Sequence, residues 1–266
     1  MAIVAIPARL KSTRFPRKVL ADIQGKPMLW YVYRAASQAK TISAVWVLTD
    51  SREVLDEAIS WGANALMTPE DCPSGTARIV SAMDKLEGDI IVNVQADEPL
   101  LRSDVVDGLV AALQGSQAQV ATPVYPIENI EELVNPNLVK VVRAPDGRAL
   151  YFSRSPIPYV RDVAQRDWLQ HSPFWGHVGV YAYRRAVLEE YPRLPESRLE
   201  GAEKLEQLRL LEAGVQILTV EIDYRPQGVD VPSDLDLVKE LLDPDRTPHR
   251  HRDTEAHIEL EGTRSQ

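Results

Sequence analysis

The stretch DIIVNVQADEPL, residues 89–100, decides the fold. Its first seven residues (89–95) are an apolar, β-branched run bounded by turn residues, the pattern of a strand buried on both faces. The run then stops on Asp97 and Glu98, and SDVVDGLVAALQG (103–115) follows with helical spacing. Working outward, the same rhythm recurs upstream. AIVAI (2–6) reads as a buried strand and MLWYVYRAASQAK (28–40) as a helix. SAVWVLTD (43–50) is a strand, REVLDEAISWG (52–62) a helix, NALM (64–67) a brief strand and GTARIVSAMDKLEG (75–88) a helix. Strand–helix alternation of this kind implies right-handed crossovers, a mostly parallel sheet and helices on both faces. Ligands of such sheets bind beyond the carboxyl ends of the strands. Three loops fall there: 7–18, 50–51 and 96–99.

Downstream the rhythm changes. QVATPVYPI, NLVKVVRA and RALYFSRS are β-rich, with a DG turn at Asp146-Gly147 between the last two. HVGVYAYRR (177–185) reads as one strand and EGAEKLEQLRLLEAG (200–214) as one amphipathic helix ending at a glycine. VQILTVEI is strand-like, and SDLDLVKELL is a last helix with Ser233 as N-cap. The expectation is a single α/β domain over 1–242, interrupted at about 120–185 by an antiparallel insertion. From Asp243 the chain is charged and poor in core residues, and 243–266 is expected to be a disordered tail. His249, His251 and His257 lie in it, where a solvated tail is the simpler expectation than a metal site.

Composition narrows the function. The 266 residues carry a formal net charge of -9, which argues against general affinity for nucleic acid or an anionic membrane. Cys72 is the one cysteine, so no internal disulfide can form, which fits a reducing compartment. No apolar run approaches the roughly 20 residues of a membrane span. The N-terminus places its apolar residues before its charges, the reverse of a secretory signal. A cytoplasmic protein is expected.

Against that acidic background, IPARLKSTRFPRK (6–18) gathers Arg9, Lys11, Arg14, Arg17 and Lys18 just after the first strand. It is not a Gly-rich phosphate loop. Arg9, Arg14 and Lys18, with Ser12, Thr13 and backbone amides, could hold a phosphate through a fork and a point charge. On residues alone, a solvated basic loop remains an equal alternative. Asp97 and Glu98, past the end of a strand, suit Mg²⁺, which prefers hard oxygen ligands; a turn or cap role is the alternative. Asp230, on a turn in QGVDVPSDL, could add a second carboxylate if the fold brings it to Asp97.

The chain resembles the 3-deoxy-D-manno-octulosonate (Kdo) cytidylyltransferase, or CMP-Kdo synthetase, family of the nucleotidyltransferase superfamily. The resemblance runs from about Ile3 to Leu242. It is carried, in order, by IPARLKSTRFPRK, DIQGKPML, LTDS, SGTAR, NVQADEP, ALYFSRSPIP, HVGVYAYRR, EKLEQLRLLE and GVDVPSDL. It implies a Rossmann-like nucleotidyltransferase sheet, with the antiparallel insertion serving sugar binding and dimerisation. The implied reaction is Mg²⁺-dependent: CTP and Kdo give CMP-Kdo and diphosphate, activating the sugar for lipopolysaccharide or a related glycan. Lys18, Arg14 and Asp97 would be catalytic, and Asp97 and Asp230 would hold Mg²⁺. Arg9, Arg14 and Lys18 would take the triphosphate, and Pro7, Ala8, Ser12, Ser74 and Arg78 would surround the base and ribose. Gln95, Arg154, His177, Tyr181, Glu206 and Gln207 would line the pocket for the acidic sugar, with Arg154 on its carboxylate. Lys11 and Arg17 are left to face water. The resemblance further implies a homodimer joined near 150–182.

Three positions depart from the family pattern: Ala96 and Arg17 stand where glycines are usual, and Ala77 where an acid is common. Two rivals therefore remain: a cytidylyltransferase for another anionic acceptor (an amino-Kdo analogue, a sialic-type acid or a phosphonate), and a non-catalytic nucleotide-binding protein.

Overall fold

A computed structural model describes residues 1–12 and 15–242; the expectations for Thr13, Arg14 and the 243–266 tail lie outside the described residues. β1 (Ala2–Ala8) is buried along its whole length, and its side chains alternate between two core clusters. Ala2, Val4 and Ile6 face one cluster, while Ile3 and Ala5 face the other. That period of two is what a strand covered on both sides requires.

One 3₁₀ turn (Lys18–Leu20) and a small hairpin, β2 (Asp22–Ile23) and β3 (Lys26–Pro27), lead into α1 (Met28–Ser37). Next come β4 (Ile42–Thr49), α2 (Arg52–Ser60), β5 (Asn64–Met67), α3 (Gly75–Val80), β6 (Ile90–Asn93) and α4 (Ser103–Gln114). Ser51 and Ser74 cap α2 and α3 by accepting from Val54 N and Ala77 N. After β7 (Val120–Pro126) and α5 (Ile130–Val134) come β8 (Lys140–Arg143), β9 (Ala149–Ser153), β10 (Trp175–His177) and β11 (Tyr181–Arg184). Then α6 (Arg185–Glu190), α7 (Arg198–Glu203), α8 (Gln207–Glu212), β12 (Ile217–Glu221) and α9 (Pro232–Leu241) complete the described chain.

Among the described residues the large sheet has ten strands, in the order β5-β4-β1-β6-β11-β7-β10-β8-β9, with β12 pairing beside β7. β5, β4, β1 and β6 are mutually parallel, and β11 runs antiparallel between β6 and β7. β10, β8 and β9 add an antiparallel edge. Leu29, Val32, Val54, Val106 and Leu109 from α1, α2 and α4 cover one face. Ile79, Leu188, Leu208 and Leu210 from α3, α6 and α8 cover the other. Each such fully buried side chain contributes about 1.5–3 kcal/mol of transfer free energy. This is the mostly parallel α/β sheet that the sequence predicts.

Several boundaries differ. The expected helix over 75–88 ends at Val80, and a 3₁₀ turn (Met83–Lys85) follows. Arg185 anchors that turn by donating Nη1 to Leu86 O and Nη2 to Met83 O. The single strand expected over 177–185 is two, because β10 pairs with β7 and β8, and β11 with β6 and β7. Thr122 Oγ1 bridges the gap, donating toward Val178 O (3.1 Å) and Val180 O (2.8 Å). The helix expected over 200–214 breaks at Lys204, which adopts φ 56°. That break sends Leu205 into the core and starts α8 at Gln207. Ser233 is not a cap: α9 begins with Pro232, and Asp234 accepts from Asp230 N (2.8 Å) and Val231 N (3.0 Å).

Candidate active site

The carboxyl ends of β1, β4 and β6 lie side by side, as parallel pairing demands, and charged side chains tie their loops together. Lys18, only 12% exposed, donates Nζ to Asp97 Oδ2 at 2.7 Å and to Val229 O at 2.7 Å. Asp230 Oδ1 lies 3.6 Å from the same ammonium. Val229 N in turn donates to Asp97 O at 2.9 Å. The meeting of Asp97 and Asp230 left open by the sequence therefore occurs, around a cation. A second link, Arg78 Nη2 to Asp50 Oδ2 at 2.9 Å, is almost fully buried. Arg78 Nη1 also donates to Thr68 Oγ1 (2.6 Å) and Pro69 O (3.2 Å).

Pro7, Arg9, Ser12, Lys18, Ser74, Arg78, Asp97 and Asp230 line a cavity of about 310 Å³, together with Cys72, Gln95, Ala96 and Glu206. Ala8 is buried inside β1 and does not line it. Lys11 and Arg17 stay at the solvent-facing surface, as expected, each in an exposed ion pair. Lys11 pairs with Glu70, and Arg17 places Nη1 2.9 Å from Glu53 Oε2 and Nη2 against Glu53 Oε1. Arg17 holds φ 59°, the left-handed region where glycine is at ease, so the departure from glycine falls at a strained position. Ala96 is absent from the positive-φ residues and carries no such strain.

A larger cavity of about 700 Å³ adjoins the first and shares Gly75, Gln95, Asp97, Glu206 and Asp230 with it. At Gly75 an added Cβ would lie 3.1 Å from Pro7 Cγ and 3.4 Å from Gln95 Oε1, so glycine is what lets this shared wall close. Gln95, His177, Tyr181, Glu206 and Gln207 all line this cavity. Burial drives the His177 imidazole down to about 3, which keeps it neutral, with Nε2 3.0 Å from Thr122 Oγ1. Burial also raises the Tyr181 phenol and the Glu206 carboxyl, the latter against hydrogen bonds from Thr76 and Ser74. Glu98 is pushed up to about 8 by burial and the charge of Asp97. Gln207 is 5% exposed and its Nε2 has no hydrogen-bond partner. A buried amide left so costs about 1–3 kcal/mol, and a ligand oxygen would satisfy it.

Arg154 is the exception. It lines neither cavity, because Nε donates to Glu203 O (2.8 Å) and Nη1 to Pro136 O (3.0 Å). Sequence reasoning also missed residues that shape the larger cavity: Thr76, Asn93, Tyr125 and Arg225. Lys140 is fully buried; its Nζ donates to Asn135 O (2.8 Å), Leu138 O (2.6 Å) and Arg154 O. It thus holds the 135–139 segment whose residues form part of the cavity wall. A lysine in VKVV reads as a solvent-facing strand position, so no sequence signal marked it.

Among the described residues, no group of three or more His, Cys, Asp or Glu is gathered to hold a metal. Asp97 and Asp230 nonetheless converge on the Lys18 ammonium, and two hard oxygen donors fit Mg²⁺, which completes its shell with waters and substrate phosphates.

The family model described as Cytidylyltransferase matches residues 3–217. A 3-deoxy-manno-octulosonate cytidylyltransferase of Acidobacterium capsulatum is 47% identical over 237 residues, covering 89% of this chain and 94% of the relative. The enzyme of that name in Escherichia coli is 45% identical over 242 residues, covering 91% and 96%. Among solved structures, a CMP:2-keto-3-deoxy-manno-octonic acid synthetase complexed with CTP superposes with a TM-score of 0.85. Its identity is 44%, over 90% of this chain and 97% of that one.

Proposed function

This chain belongs to the cytidylyltransferase family and is a nucleotidyltransferase, and on that premise we propose that it transfers CMP from CTP to 3-deoxy-D-manno-octulosonate with release of diphosphate. One observation carries the proposal: Lys18, Asp97 and Asp230 meet at the wall between the two cavities. The smaller cavity, with Arg9, Ser12, Lys18 and Ser74, is the place for CTP. The larger, with Gln95, His177, Tyr181, Glu206 and Gln207, is the place for the acid.

The anomeric 2-hydroxyl of the acid attacks the α-phosphorus in line, forming the new P–O bond as the bond to diphosphate breaks, and its proton passes to solvent. Lys18 and Arg9 neutralise the triphosphate, and Lys18 offsets charge growing on the leaving group. Arg14 joins them by sequence. Asp97 and Asp230 would hold Mg²⁺, whose chemistry is to neutralise α-phosphate charge and polarise the attacking hydroxyl. Gln207 Nε2 donates to an acceptor oxygen, and neutral His177 and Tyr181 hydrogen-bond hydroxyls without adding charge. No covalent nucleophile is needed, since positioning and electrostatics serve.

The finer expectations, a cytoplasmic homodimer supplying an activated sugar for lipopolysaccharide, belong to the same proposal. The relatives' names bear on the sugar alone, and no helix among the described residues is long and apolar enough to cross a membrane. The test is diphosphate release from CTP and Mg²⁺ against a panel of acids. Release with the octulosonate above all others supports the assignment. Release with a sialic-type acid or a phosphonate instead would move the enzyme to another acceptor.

A further inference from the structure

The larger cavity carries a polar cluster that no expected site residue belongs to. Arg225 and Tyr125 both line it, and Arg225 Nη1 pairs with Glu132 from the first turn of α5. Glu132 is 12% exposed and Arg225 53%, so the carboxylate stands behind while the guanidinium reaches the open space. Burial raises the Tyr125 phenol, and the Arg225 charge opposes that rise.

Tyr125 is fixed by what lies under it. A Cβ built on Gly176 would fall 2.6 Å from Tyr125 Cζ and 2.9 Å from its hydroxyl, so the ring lies flat on a position that has no side chain. The loop bearing Arg225 is fixed as well. Ile222 N donates to Val124 O (2.9 Å), Arg102 N donates to the Tyr224 hydroxyl (3.2 Å), and Val229 N donates to Asp97 O (2.9 Å). One loop therefore delivers Asp230 to Lys18 and Asp97, and Arg225 to Tyr125 and Glu132.

We propose that Arg225, with Tyr125, forms the subsite for the polyhydroxyl chain of the acceptor acid and sets the preference for an acid long enough to reach it. The inference rests on the acceptor being a 3-deoxy-ulosonic acid, as proposed above. The chemistry favours hydroxyls over a carboxylate. Glu132 offsets the charge of Arg225, and Asp97, Asp230 and Asp234 line the same cavity. What the cluster offers is a rigid fork of donors beside a neutral phenol that both donates and accepts. A fork of donors facing the open space gains charge-assisted hydrogen bonds from hydroxyls that reach it and none from an analogue that lacks them.

The experiment measures diphosphate release by the full chain with saturating CTP, as a function of the eight-carbon 3-deoxy-D-manno-octulosonate. A six-carbon 3-deoxy-2-ulosonate, which keeps the carboxylate but loses two carbons of the chain, serves as inhibitor. Arg225→Ala is compared with Arg225→Ala/Glu132→Gln, in which no carboxylate is left orphaned. In both, KM for the octulosonate is expected to rise about tenfold or more, with KM for CTP unchanged. The six-carbon acid is expected to inhibit wild type and variants to the same extent. An unchanged octulosonate KM in an active enzyme overturns the inference and leaves the proposed function standing. Equal weakening of both acids also overturns it, by placing Arg225 on the carboxylate. A wild-type enzyme that releases diphosphate with no acid overturns both.

Discussion

In the smaller cavity charges are kept and paired: Lys18 with Asp97 and Asp230, Arg78 with Asp50. In the larger one, beyond the Asp97 and Asp230 that it shares, burial removes or offsets several of them. His177 is held neutral, the Tyr181 phenol and Glu206 carboxyl are raised, and Arg225 is matched by Glu132. The cause is topological. Loops from three parallel strands bring side chains of both signs to one end of the sheet, beside solvent. The antiparallel half instead packs the rings of β10 and β11 together: His177 lies edge-on to Phe152 and tilted against Tyr181, and Tyr181 stacks on Tyr183. A polyanion needs the first environment and a polyhydroxyl acid the second. Two electrostatic regimes share one wall, where the proposed reaction would fall.

That contrast can be broken most forcefully at the wall itself. Asp97→Asn is expected to cut diphosphate release on the order of 10³-fold, with an unchanged circular dichroism spectrum; near-normal turnover would remove Asp97 from the chemistry. Next in size is Arg78→Met, which orphans the buried Asp50 carboxylate. Such single-partner removal costs about 3–5 kcal/mol, read as a lower midpoint in denaturant unfolding. Lys18→Ala is expected to lower kcat/KM about 10²-fold, and KM for the acid should move less than KM for CTP.

The larger cavity is sharpened by pH. Burial sets the His177 pKa at about 3 in the fold, below the ordinary value of about 6.5. Between those values the unfolded chain binds the proton first, so stability is lost as pH falls from about 6.5 toward 3. The share due to His177 approaches about 1.4 kcal/mol per pH unit at most. In His177→Gln the slope of unfolding free energy against pH should flatten in that window; an unaltered slope would mean that His177 is not held neutral. The smallest effect is expected of Arg17→Gly. Relief of left-handed strain, about 1 kcal/mol, opposes loss of an exposed ion pair worth roughly 0.2–1 kcal/mol, so thermal stability should barely move.

The parallel half was legible because each buried strand there is a bare apolar run, such as IIVN, and each crossover helix carries its own period. The loops that carry Lys18 and Asp97 were placed for the same reason, past the carboxyl ends of β1 and β6, while the roles given to the two residues came from the family resemblance. The antiparallel half was harder. The segment 177–185 keeps its alternation through the gap at Val178–Val180, because the switch of partner strand is a tertiary event. Lys204 leaves the helix at φ 56° although nothing in EKLEQLR breaks a helix locally. Arg154 was expected at the acid, yet Glu203 O and Pro136 O take its donors. Arg225 and Tyr125 sit in unremarkable loop and strand contexts, and only the fold joins them.

The deciding measurement is the rate of diphosphate release from CTP and Mg²⁺ with and without 3-deoxy-D-manno-octulosonate, in wild type and in Asp97→Asn. Release in wild type is expected to require the acid and to fall on the order of 10³-fold in the variant. Release that ignores the acid, or survives the substitution, would rule out CMP transfer to the octulosonate at Asp97.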